Sequence, residues 1–154
     1  MLPLGLRNNN PGNIRPSDPP WRGAIGQNGG FVVFDTMENG IRALCRQLIA
    51  YYENSAPPHP RYTSFNGTQI DTVEEAIYRW APPADHNDTN AYVALVCSVL
   101  ECNKDDRFDF RNQDFLFWMV TAIGEEENGH QAFSNNVTDA QIDSGIIAAL
   151  KDES

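Results

Sequence analysis

The chain has 154 residues, enough for one domain with its own core, and 41% of them are hydrophobic, an ordinary share for a globular protein. With 11 basic against 21 acidic residues the net charge is −10, which argues against a nucleic-acid backbone as partner and against electrostatic docking on anionic membranes or wall polymers. No apolar run approaches the ~18 residues of a membrane span, and the opening Met1–Leu6 is too short, and lacks the charged start, for a secretory signal.

In chain order, residues 7–30 come first, rich in Gly, Asn and Pro. Segments this long without periodicity are usually functional or disordered. The apolar Ile14, Trp21 and Ile25 argue for order. Phe31–Phe34 reads as a short strand paired with residues near Ala24 and Ile25. A helix is predicted from Met37 to Tyr52, opened by Asp35 and Glu38 in a capping-box-like pair. Its buried stripe is Ile41, Leu44, Leu48 and Tyr52. Thr72-x-x-Glu75 starts another, with Val73, Ala76, Ile77 and Trp80 facing in, and Pro82-Pro83 stops it. Asp88 or Thr89 caps the next, whose inner face is Tyr92, Leu95, Val96 and Val99. Thr138-x-x-Gln141 caps the last, with Ile142, Ile146 and Leu150 inside. Cys45 and Cys97 fall on apolar faces and read as buried small hydrophobes. Three cysteines with Cys102 cannot all pair, so a disulfide scaffold is not expected. His59, His86 and His130 form no triad or zinc pattern, and no metal or cofactor is expected.

Between those last two helices, residues 112–130 (NQDFLFWMVTAIGEEENGH) are the most informative stretch. Phe115, Met119, Ile123 and Glu127 recur every four residues, and Leu116 and Val120 widen the stripe. Asn128-Gly129 then ends the helix. A carboxylate carried to the edge of an apolar face is partly desolvated, so its pKa should rise, as a general acid requires. Three carboxylates at a helix C-terminus oppose the macrodipole at about 0.3–1 kcal/mol each. An acidic run is ordinarily a solvated face, and helical phase favours neither Glu126 nor Glu127.

Sequence motifs extend the argument. Arg7-Asn8-Asn9-Asn10-Pro11-Gly12-Asn13-Ile14-Arg15 resembles the NNLFGIK segment of bacterial glucosaminidases of the flagellar and autolysin type, with Arg15 standing for its Lys and residues 11–13 departing from it. Trp21 with Gly23, then Phe31 and Phe34-Asp35, then the helix over 41–52, continue the likeness. Asn87-Asp88-Thr89-Asn90-Ala91-Tyr92-Val93 resembles, more loosely, its A-T-D-P-x-Y-A segment. In those enzymes the helix bearing the catalytic Glu precedes NNLFGIK. Here Ala122-Ile123-x-x-x-Glu127-Asn128-Gly129, near the other end, is similar to the A-I-x-x-x-E-S helix end of lytic transglycosylases. The ordered set resembles a lysozyme-superfamily domain in circularly permuted order, and also small virion-associated proteins of tailed phages. This likeness, not helical phase, selects Glu127.

The resemblance implies a mainly α, lysozyme-like domain over residues 1–154, with about five helices and one small β-hairpin. It implies cleavage of peptidoglycan glycan strands by muramidase, transglycosylase or glucosaminidase chemistry, at the cell wall, from a virion or as a delivered lysin. Virion proteins are its other implied partners; nucleic acid and membrane insertion are not. Glu127 is then the general acid. Asn9, Asn10, Asn13, Trp21, Asp88, Thr89 and Tyr92 are the substrate-binding candidates. Asn-rich loops offer donors and acceptors to sugar hydroxyls and acetamido groups, although asparagines also simply make turns. Trp21, Trp80 and Tyr92 suit a core as well as a sugar platform, and Asp88 reads as an N-cap before anything else. Asp85 or Asp88 would place a water if the reaction is hydrolysis. The competing reading is a virion or secretion-machine structural protein that keeps the groove without the activity. If the ends of the domain are permuted, the loop Asn8–Ile14 should lie against the C-terminal end of the Glu127 helix.

Overall fold

The computed structural model describes residues 1–56, 60–67 and 69–151. His59 lies outside them. The described residues are mostly helical, with one small antiparallel sheet. In chain order the elements are α1 (Leu4–Arg7), β1 (Ala24–Asn28), β2 (Phe31–Phe34), α2 (Met37–Glu53) and α3 (Val73–Trp80). A 3-10 turn over Pro83–Asp85 follows, then α4 (Thr89–Leu100), α5 (Gln113–Asn128), α6 (His130–Asn136) and α7 (Asp139–Lys151). The expectation of about five helices missed α1 and α6. One has four residues and the other seven, too few for either to carry a readable stripe.

The N-caps explain where most of the helices begin. Thr72 Oγ1 accepts from Glu75 N at 3.1 Å, and Thr138 and Gln141 cap each other reciprocally. Asp88, not Thr89, caps α4 by accepting from Ala91 N at 3.1 Å. At α2 the cap is Thr36, accepting from Asn39 N at 3.1 Å, one residue beyond the expected Asp35. Asp35 binds the Asn39 side chain instead, at 2.8 Å.

α2 packs chiefly against α7, while α5 packs against α4, α6, α7, α1 and α2. Ile41, Leu44, Leu48, Ile77, Leu116, Met119 and Ile123 are completely buried in the main core. Tyr52 and Leu150, from the expected stripes, are half-buried at its margin. Cys45 is buried as expected. Cys97 is only half-buried and lies beside Cys102, because α4 ends there and turns back on itself.

The hairpin pairs Ala24 with Phe34 and Asn28 with Phe31. Its turn is Gly29-Gly30, at φ +64 and +85, the left-handed backbone that tight hairpins demand. Val32, Phe34 and Ile14 form a second small core, whereas Ile25 is 69% exposed on the outer face of the hairpin. The asparagine segment docks along β2 as a third line of chain. Ile14 O accepts from Val32 N at 3.0 Å, and Asn8 O accepts from Phe34 N at 2.9 Å. Asn9 and Asn13 adopt φ +52 and +51, which asparagine tolerates better than most side chains. Behind this loop lies Gly40 of α2. A Cβ there would fall 1.8 Å from the backbone oxygen of Asn9, so only glycine lets the loop seat on the helix.

Candidate functional site

The loop over residues 8–14 does lie against the end of α5, 114 residues away in sequence. Asn13 Nδ2 donates to Glu127 Oε1 at 3.2 Å. The Tyr92 hydroxyl of α4 donates to the other oxygen, Oε2, at 3.1 Å. One residue on, Asn128 Nδ2 donates to Pro11 O and to Gly124 O, both at 2.9 Å. The two amide oxygens left over, Asn13 Oδ1 and Asn128 Oδ1, are buried without a donor among the described residues. Both pack on Gly5 of α1, where a Cβ would come within 3.0 Å and 2.5 Å of them. Their nitrogens face only acceptors, which fixes the amide orientations.

Glu127 is half-buried at the foot of a groove of about 520 Å³. It is lined by Gly12 to Ser17, Trp21 and Phe31, by Gln47 and Tyr51 of α2, and by Trp80, Ala81, Asp85 and Asn87. Burial raises the Glu127 pKa above the ordinary glutamate value. The bonds from Asn13 and Tyr92 pull it down, and the charge of Glu126 pushes it up again. Tyr92 is itself raised, by burial first and by Glu127 second, so it stays a neutral donor. Glu126 is exposed and Glu125 reaches His130 at 3.0 Å. Of the three consecutive acids, Glu127 is the one that lines the groove.

The sequence candidates divide in space. Asn13, Trp21 and Tyr92 gather around Glu127 or its groove. Asn10 is fully buried: its Nδ2 donates to Ile14 O and Val32 O at 2.9 Å, and its Oδ1 accepts from Ile14 N at 2.8 Å. That leaves it nothing to offer a substrate. Asn9 donates to Phe34 O at 3.1 Å, and buried Thr89 donates to Ala81 O at 2.6 Å. Asp88 is occupied at its cap and does not line the groove, whereas Asp85 does. These four side chains hold the scaffold because a loop without strands needs side chains to satisfy its backbone. Gln47 and Tyr51 were not singled out from sequence, and Phe31 was read only as a strand and motif residue. A polar pair at i, i+4 beside an apolar stripe reads as ordinary helix surface.

Similarity to known proteins adds one fact. Protein P5 of Pseudoalteromonas phage PM2 is 29% identical to the chain over 135 residues, spanning 84% of this chain and 74% of P5. A bacteriophage protein is therefore among its relatives. No known family profile matches the chain. Among the described residues no helix is long and apolar enough to cross a membrane, and no cluster of His, Cys, Asp or Glu is arranged to hold a metal ion.

A carboxyl with a raised pKa, both oxygens held, at the foot of a groove lined by aromatic rings and amides, can protonate a leaving oxygen. Asn13→Ala should raise the Glu127 pKa further, because the lost bond favoured the charged form. NMR titration of the labelled Glu127 carboxyl checks this without any assay of activity; a downward shift would show that the amide does not stabilise the carboxylate.

Proposed function

We propose that this chain cleaves the glycan strand of peptidoglycan, with Glu127 as the general acid. The observation that carries this is the Glu127 carboxyl itself, desolvated in the groove and held through both oxygens by Asn13 and Tyr92. A glycosidic oxygen leaving an oxocarbenium-like transition state needs such a proton donor. Asp85 is the groove's other carboxylate among the described lining residues. In a hydrolase it would orient the attacking water. In a transglycosylase the substrate's own 6-hydroxyl attacks, and Glu127 returns as base. The fold we read as lysozyme-like in permuted order. That reading is supported by the meeting of the asparagine loop with the Glu127 helix, which the permutation requires. The phage relative supports a bacteriophage setting, within which we propose delivery to the wall from a virion or as a lysin.

The test is digestion of purified sacculi with mass spectrometry of the products. Hydrated reducing ends identify a hydrolase and 1,6-anhydro ends a transglycosylase. Intact strands, from folded protein, would defeat the proposal and favour a structural virion component. Activity on sacculi should also rise as ionic strength goes from ~0.01 M to ~0.1 M, because screening over ~30 Å tightens to ~10 Å and relieves repulsion between a −10 protein and an anionic wall. A steady fall with salt would put wall binding under local basic residues instead.

A further inference from the structure

Among the groove residues one cation stands without a carboxylate. Arg15 is exposed on the wall two residues beyond Asn13. Its guanidinium carbon lies 4.6 Å from the centre of the Phe31 ring, and Nη1 donates to Gly30 O at 3.3 Å. The ion pairs among the described residues join other partners, and none includes Arg15. The seat is built. Phe31 belongs to β2, the Trp21 indole donates to Arg15 O at 3.3 Å, and Gly30 at φ +85 leaves the space that a Cβ would take 3.1 Å from Nη1. Stacking on a ring and one backbone bond hold the fork still, while most of its five N–H donors face outward. In a chain with nearly twice as many acids as bases, a groove arginine paired with no acid among the described residues is set to receive one from outside.

Resting on the reading of Glu127 as the glycan-cleaving acid, we propose that Arg15 is the specificity determinant of the groove. It binds a carboxylate carried by the glycan in the groove, the free lactyl carboxylate of a strand stripped of its stem peptides. Arg15 and Glu127 line the same groove, so a glycan strand lying along it meets both. A guanidinium suits this because its fork matches a carboxylate in two parallel hydrogen bonds. The groove therefore reads acidic glycans in preference to neutral ones of the same linkage, although the protein as a whole is acidic.

A matched pair of substrates tests it. One is the tetrasaccharide of alternating N-acetylglucosamine and N-acetylmuramic acid with free lactyl carboxylates, and the other is the neutral tetrasaccharide of N-acetylglucosamine. The wild-type protein is expected to favour the acidic one in kcat/KM, and Arg15→Gln to cut that ratio by roughly tenfold, the worth of one charge-assisted contact. Arg15→Lys should restore only part of it. Calorimetric binding of both tetrasaccharides to Glu127→Gln and to the Glu127→Gln/Arg15→Gln double variant repeats the comparison without turnover. An acidic-to-neutral ratio unchanged by Arg15→Gln would overturn this inference and leave the cleavage proposal standing. Equal binding of the two tetrasaccharides by Glu127→Gln would overturn it too, whereas the cleavage proposal stands or falls on the digestion of sacculi.

Discussion

Glu127→Gln is expected to lower turnover of peptidoglycan by about 10²–10⁴-fold, the usual worth of a general acid, while the fold remains intact. Glutamine keeps the shape and can still meet Asn13 and Tyr92, so what disappears is the transferable proton. The same substitution should stabilise the protein at neutral pH. Burial holds the folded-state pKa of Glu127 above its unfolded value. Stability from this group is therefore complete below the unfolded pKa and is lost as pH rises through the raised one. Glutamine suffers no such loss, so the Tm advantage of the variant should grow from acid to neutral pH. Wild-type activity should decline over that same upper range, as the acid loses its proton. Glu126→Gln, on the exposed side of the helix, should leave turnover within a few-fold of wild type. An inactive Glu126→Gln beside an active Glu127→Gln would move the assignment by one residue.

The second large effect reverses a general rule. Replacing a mid-helix glycine by alanine ordinarily stabilises by about 1 kcal/mol. At Gly40 it should destabilise, because the new methyl would sit 1.8 Å from Asn9 O, which is backbone and cannot rotate away. Overpacking of this kind costs about 1–3 kcal/mol, which outweighs the propensity gain and should lower Tm by several degrees. The larger consequence is for the site. Displacing Asn9 moves the loop that carries Asn13, and a shift of about 1 Å can cost on the order of 10²-fold in rate. Gly26→Ala, where nothing lies within 4 Å of the added atom, is the control and should change neither property. Thermal melts and turnover of the two variants decide the matter; a Gly40→Ala protein as stable and active as wild type would mean that the loop does not depend on this contact.

Most of the helices were legible because their stripes are long and their caps chemically distinct. The Thr72–Glu75 and Thr138–Gln141 caps needed only residue type and spacing. Glu127 was legible as the end of the α5 stripe, but its phase left it level with Glu126 until an outside likeness broke the tie. The asparagine run was harder. Residue type said that these side chains would bond, and nothing local said to what. Asn10 turns inward to β2 and Asn13 turns outward to Glu127, three residues apart. Only the docking of α5 separates them. Gln47 and Tyr51 were unreadable for the same reason, since a groove is defined by what faces it across space.

The distance in sequence between Asn13 and Glu127 also bears on the order of events during synthesis. A ribosome makes the asparagine loop, the hairpin and α2 long before it makes α5. The carboxyl and the amide that holds it cannot meet until nearly all of the chain is available to fold, and closing so long a stretch is entropically slow. The raised pKa of Glu127 is therefore a late property of the molecule, acquired with its final docking step. A chain whose first fourteen residues have come loose keeps at this position a glutamate that has lost the Asn13 amide and one wall of its groove.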